Sequence, residues 1–75
     1  MSSVIYTAEH RYIVEQLKRA RRESGLTQTE VVKLLGRTQS YLSTMESGQC
    51  RIDIVQLKKF AGIYTKDLGF FIRDL

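Results

Sequence analysis

The sequence predicts an all-α fold of five helices, and three observations predict it. The chain contains no proline, so no residue in it forbids a helix interior. Apolar residues recur at three- and four-residue spacing through most of its length, the period of a single helix face. Its five glycines fall mostly where those periodic stretches end, the position that favours a left-handed stop. At 75 residues there is room for one core, because a chain this short buries only about 60% of its unfolded surface. Residues 1–75 are therefore expected to form a single domain. An apolar fraction of 43% suits a folded globule, and 27% charged residues do not push it towards disorder.

The first helix is expected over about residues 7–23. Ile13, Leu17 and Ala20 share one face, and Arg11, Lys18, Arg19 and Arg22 lie mostly elsewhere around it. Thr7 suits the N-cap, Glu9 the positive first turn, and Ser24-Gly25 the stop. The second helix has the clearest start. Thr27-Gln28-Thr29-Glu30 is a capping box, with Leu26 and Val31 placed for a hydrophobic staple. Val31, Val32, Leu34 and Leu35 supply its buried face, and Gly36 ends it after about two turns.

Thr38 caps a third helix in which Leu42 and Met45, with Tyr41 in part, point inward; Ser47-Gly48 closes it. Asp53 caps a fourth, with an apolar stripe of Ile54, Leu57, Phe60 and Ala61 and an end at Gly62. Thr65 is expected to cap the last helix, over about residues 65–74. It would carry Leu68, Phe71 and Ile72 on one side and Phe70 off it.

Charge narrows the function. Twelve Lys and Arg against eight Asp and Glu leave the chain at +4, which favours an anionic partner, nucleic acid being the commonest. A single cysteine, Cys50, cannot form an internal disulfide and suits a reducing cytosol. The first residues lack the basic start and apolar run of a secretory signal. No stretch approaches the roughly 20 apolar residues of a membrane span. A cytoplasmic, nucleoid-associated protein with no membrane partner is expected. Catalysis has little to build on. His10 has no orienting partner that the sequence can name, and Cys50 reads as a loop thiol. One His with one Cys does not make a metal site. No enzyme activity, metal or cofactor is expected.

The informative segment is the pair of short helices within residues 27–47. Helices this short are marginal alone and need the others as a scaffold. An ordinary exposed helix carries Glu and Lys, whereas the outer face of the third reads Gln39, Ser40, Ser43, Thr44. Gln can pair bidentately with adenine, and Ser or Thr can bond several base edges. Plain polar surface and end-capping are the other reading of the same residues.

Residues 17–68 resemble the phage Cro and repressor type of helix-turn-helix, also called the XRE family. The matching pieces are Leu17-Lys18-Arg19-Ala20-Arg21, Gly25-Leu26-Thr27-Gln28, Val31-Val32-Lys33-Leu34-Leu35-Gly36, Gln39-Ser40-Tyr41-Leu42-Ser43 and Met45-Glu46-Ser47-Gly48. Leu57-Lys58-Lys59-Phe60-Ala61 and Tyr64-Thr65-Lys66-Asp67-Leu68 fit as well. The resemblance implies a five-helix, lambda-repressor-like domain whose third helix enters the major groove of double-stranded DNA. It implies base reading by Thr38, Gln39, Ser40 and Thr44, with Ser43 a lesser candidate. It implies phosphate contacts from Gln28, Arg37, Tyr41, Gln49 and Arg51, with Gln28 also bracing Gln39. Arg21 and Glu46 stand where many relatives form a semi-buried ion pair. Val32 departs from the pattern, standing where alanine is usual at the closest contact of the two helices. Val31 replaces a usual leucine, and Ser47 stands where asparagine is common.

Two aromatics and an isoleucine near the C-terminal end exceed what one short helix buries in a small monomer, and such surplus marks interfaces. A homodimer through the last helix is expected, with Leu68, Phe70, Phe71 and Leu75 at its interface, facing two half-sites of a palindrome. The expected function is a sequence-specific transcriptional regulator. The other class left open is a protein-interaction adaptor or antitoxin-like module with weak DNA binding. Nothing after the fifth helix offers an effector site, so no small-molecule effector is expected.

Overall fold

A computed structural model describes residues 7–72. Its elements are α1 (Ala8–Ser24), α2 (Gln28–Leu35), α3 (Gln39–Ser47), α4 (Ile54–Tyr64) and α5 (Leu68–Phe71), and no strand occurs among the described residues. The all-α, five-helix expectation holds.

Each long helix starts where a side chain replaces the missing backbone partner. Thr7 accepts from the His10 N–H, Thr27 from Glu30, Thr38 from Tyr41 and Asp53 from Gln56. Thr27 and Glu30 close the capping box reciprocally, and Asp53 and Gln56 form a second one. The Thr27 N–H and hydroxyl hold the Glu30 carboxyl below its ordinary range. Gly25, Gly36 and Gly48 end the first three helices at positive φ. In each case the glycine and the residue after it donate to carbonyls of the last turn.

The core gathers Leu17 and Ala20 of α1, Val31 and Val32 of α2, and Leu42 and Met45 of α3. Leu57, Phe60, Ala61 and Tyr64 of α4 and Phe71 of α5 complete it. α1 is the hub, packing on α3, α4 and α5, while α2 leans on α3 and α4. Two short helices are thus held by a scaffold that neither could supply.

The structure corrects several expectations. α4 does not stop at Gly62 but runs through it to Tyr64. A mid-helix glycine costs about 1 kcal/mol, and the helix nevertheless runs on to bury the Tyr64 ring, stacked on Phe60 at 6.0 Å. Thr65 is not the N-cap of the last helix. It is the left-handed C-cap of α4 at φ 56°, where its N–H reaches Gly62 O and the Lys66 N–H reaches Ala61 O. Asp67 takes the N-cap place of α5, without a side-chain cap bond. α5 is accordingly a single turn, shorter than expected over residues 65–74. Ile54, Ile72 and Leu34, all read as inward, are half exposed or more. Conversely, Val14 and the polar Gln16 are buried on α1. Gln16 Nε2 donates to the Phe70 carbonyl at 2.8 Å, tying α5 to α1.

The interface expectation changes most. Phe71 is fully buried within its own chain and has no surface to give a partner. Phe70 packs edge-on against it at 5.2 Å, with Lys66 Nζ over its ring at 4.7 Å. Leu68 is half-buried, and Leu75 lies outside the described residues.

Candidate nucleic-acid interface

α2 and α3 are joined by Gly36, Arg37 and Thr38. Gly36 turns the chain at φ 70°, a conformation that L side chains resist. The turn lets α3 lie across α2 with Leu42 and Met45 buried beneath it. The opposite side of α3 carries Thr38, Gln39, Ser40, Ser43 and Thr44, all exposed. One face is spent on the core, and the other is free for a ligand.

The row is not a set of loose side chains. Gln39 Nε2 donates to Gln28 Oε1 at 3.1 Å, and Thr29 Oγ1 donates to Gln39 Oε1 at 3.5 Å. Ser43 Oγ also reaches Gln28 Oε1, at 3.5 Å. Gln28 in turn gives its Nε2 to Glu46 Oε1 at 2.9 Å. Glu46, buried at the end of α3, accepts from Arg21 Nε at 2.8 Å and from Arg21 Nη2 at 3.2 Å. Arg21 Nη1 adds a bond to the Leu26 carbonyl at 3.3 Å. The fork-on-carboxylate geometry is the strong form of ion pair. The hydrogen bond to Glu46 raises the Arg21 pKa, against the opposing effect of burial. Burial, and then the Glu46 charge, push the neighbouring Tyr64 phenol up as well.

Thr38 spends its oxygen on the Tyr41 N–H and keeps a hydroxyl proton to donate. Ser40 and Thr44, one turn apart, line a shallow hollow of about 420 Å³ together with Arg51 and Gln56. Arg51 and Gln49 are exposed in the loop after α3. Arg37 lies over the Tyr41 ring at 4.7 Å. The Tyr41 hydroxyl accepts from Gln56 Nε2 at 3.1 Å, so its own proton is free to be donated outward. Arg37, Tyr41 and Lys59 border a second hollow of about 190 Å³.

Three participants escaped the sequence reading. Thr29 bonds Gln39 and Gln56 bonds Tyr41, contacts that no local pattern displays, and Lys59 lines the hollow beside Arg37 and Tyr41. The Lys58-Lys59 pair was the one available signal for Lys59. The residues of α5 take no part, since α5 packs on α1 and α4. Burial raises the pKa of the Cys50 thiol, whose Sγ donates to Met45 Sδ at 3.1 Å. Among the described residues no three His, Cys, Asp or Glu side chains gather as for a metal ion. Nor is any described helix long and apolar enough to cross a membrane.

Two short helices joined by a glycine turn, the second offering an uncharged hydrogen-bonding row above buried anchors, define a helix-turn-helix DNA-binding module. A family model described as a helix-turn-helix domain matches residues 13–65, from within α1 to the C-cap of α4. The chain belongs to that family, and DNA is the partner that the family implies. A search of the curated proteins finds no match.

Proposed function

We propose that the chain is a sequence-specific transcriptional regulator of the Cro and repressor type, reading double-stranded DNA through the major groove with α3. One observation carries the reading: the braced, uncharged row from Gln39 to Thr44 faces solvent while Leu42 and Met45 anchor it from below. Gln39, Ser40, Ser43 and Thr44 read base edges, with Thr38 at the rim. Gln28 at the α2 N-terminus, Arg37, Tyr41, Gln49 and Arg51 hold phosphates, and Lys59 joins them. No catalytic step, cofactor or small-molecule effector is part of this reading. The working place is the cytoplasm, on the nucleoid.

Selection of bound sites from a random DNA pool tests it. A defined motif is expected, with affinity falling steeply as salt rises. Gln39→Ala should relax preference at one base pair by about 1–3 kcal/mol, whereas Arg37→Ala and Arg51→Ala should weaken all sequences alike. A Gln39→Ala protein that keeps the wild-type motif would refute the assignment of the reading helix.

The active form is a two-fold dimer through the last helix and its surroundings, about residues 65–74. Phe71 being buried, the dimer surface is left to Leu68, Phe70 and Leu75, and the half-exposed Ile72 joins them. It would set two copies of α3 about 34 Å apart on a palindrome. Sedimentation at tens of micromolar, with and without the selected DNA, decides: a monomer in both sinks it. The adaptor or antitoxin-like reading draws on the exposed Leu34 and Val55. It predicts neither a motif nor a steep salt dependence.

A further inference from the structure

We propose that Glu46, buried and out of reach of DNA, sets the base preference of Gln39 by fixing the direction of a hydrogen-bond relay through Gln28. The inference rests on the DNA-reading function proposed above and adds to it a positioning residue that touches no base.

The argument is one of donors and acceptors. A carboxylate can only accept, whereas an amide has one accepting and one donating end. Glu46 Oε2 takes Arg21 Nε, and Oε1 takes both Arg21 Nη2 and Gln28 Nε2. The end of Gln28 turned towards Glu46 must therefore be its NH2 group. Its carbonyl is forced to the other side, where it accepts from Gln39 Nε2 at 3.1 Å. Ser43 Oγ approaches the same oxygen. Gln39 is then forced in its turn: its NH2 faces Gln28, and its carbonyl accepts from Thr29. Each choice follows from the one before, and the first is made by a charge 7% exposed.

The amide of Gln39 thus meets the groove with donor and acceptor in one order. Adenine recognition needs a specific order, an acceptor for N6 and a donor for N7. An amide free to flip would present both orders and discriminate less. Glu46 supplies the asymmetry that an amide pair by itself lacks, since two glutamines can bond equally well in either direction.

Glu46→Gln probes this with almost no change of shape. The new amide accepts at one end only. With its oxygen in the Oε2 place it keeps Arg21 Nε but sets its NH2 against Arg21 Nη2 and Gln28 Nε2; reversed, it keeps those two and loses Arg21 Nε. The lock on Gln28 is lost, and Gln28 and Gln39 sample both directions. Moving the carboxylate one step along the relay, in the double variant Glu46→Gln with Gln28→Glu, restores an accepting oxygen opposite Gln39 Nε2. The readout is the ratio of affinities for the selected site and its single-base variants. It is measured for full-length wild type, Glu46→Gln, the double variant, and Phe60→Leu as a destabilised control off the relay.

The expected result is a loss of about twofold or more in preference at the base pair that Gln39→Ala relaxes, with the other positions unchanged in Glu46→Gln. The double variant should recover that preference even if its added charge near the backbone weakens binding overall. Phe60→Leu should leave the motif intact. Gln28→Leu, which cuts the relay without touching the ion pair, serves if Glu46→Gln does not fold and should lose the same preference. Unchanged preference in Glu46→Gln, an equal loss at all positions, or no recovery in the double variant would overturn the proposal. A wild type without any motif would instead overturn the DNA-reading function itself, so the two failures are distinct.

Discussion

Arg21 and Glu46 are the pair on which most of the polar interior turns. Their side chains are 18% and 6% exposed, so solvent screens them far less than it does a surface pair. Removing one partner leaves the other buried and charged. Glu46→Ala should lower the free energy of unfolding by about 3 kcal/mol in urea titrations. A loss within the ±0.5 kcal/mol typical of surface substitutions would contradict the ion-pair account. A carboxylate at the end of α3 also opposes the helix dipole, so its place there requires the guanidinium beside it. Both residues could be named from the sequence, by resemblance. Their bond to Gln28 could not, because it depends on the angle at which α2 meets α3.

Among the elements, α4 and its end are the most instructive. Thr65 sits at φ 56°, where a β-branched residue costs about 1–2 kcal/mol. Thr65→Gly should therefore stabilise the protein by about 1 kcal/mol, after the entropy that glycine gives to the unfolded chain. Equilibrium unfolding checks it, and a net destabilisation would mean that the Thr65 side chain makes contacts worth more than the strain. The ends of α1, α2 and α3 were legible because each closes on a glycine, Gly25, Gly36 or Gly48, that takes positive φ. The end of α4 was not. Gly62 looks like a stop, but Tyr64 beyond it has a core site to fill, and tertiary packing outweighs a local preference of similar size.

For the molecule as a whole, the ties between distant segments lie partly in solvent. Glu23 near the end of α1 bonds Lys66, beyond α4, at 2.7 Å and Arg19 at 2.9 Å. Lys66 first, and then Arg19, hold its carboxyl below its ordinary value of 4.5. Because the folded pKa is depressed, the stabilisation is fully present above the unfolded value and is lost as pH falls through the folded one. Thermal midpoints should drop more steeply below pH 4.5 for wild type than for Glu23→Gln. About 0.5 M salt should shrink the difference, since the group is exposed. Parallel curves would show that the tie contributes nothing. At the same scale, Leu34, Ile54, Val55 and Ile72 remain uncovered, so the surface has apolar faces besides its polar row from Gln39 to Thr44.

The order of polar and apolar residues along the chain was enough to specify five helices, most of their caps, and the outward row from Gln39 to Thr44. Those features rest on interactions within a few residues, where period and capping chemistry leave their mark on neighbouring positions. Only the packed chain decided which surplus hydrophobics were covered. It drew Phe71 inward and left Ile54 and Ile72 out, because burial depends on what another helix places opposite. It also decided the direction of the Arg21–Glu46–Gln28–Gln39 relay, since a hydrogen bond between side chains on three helices is set by distance and angle in space.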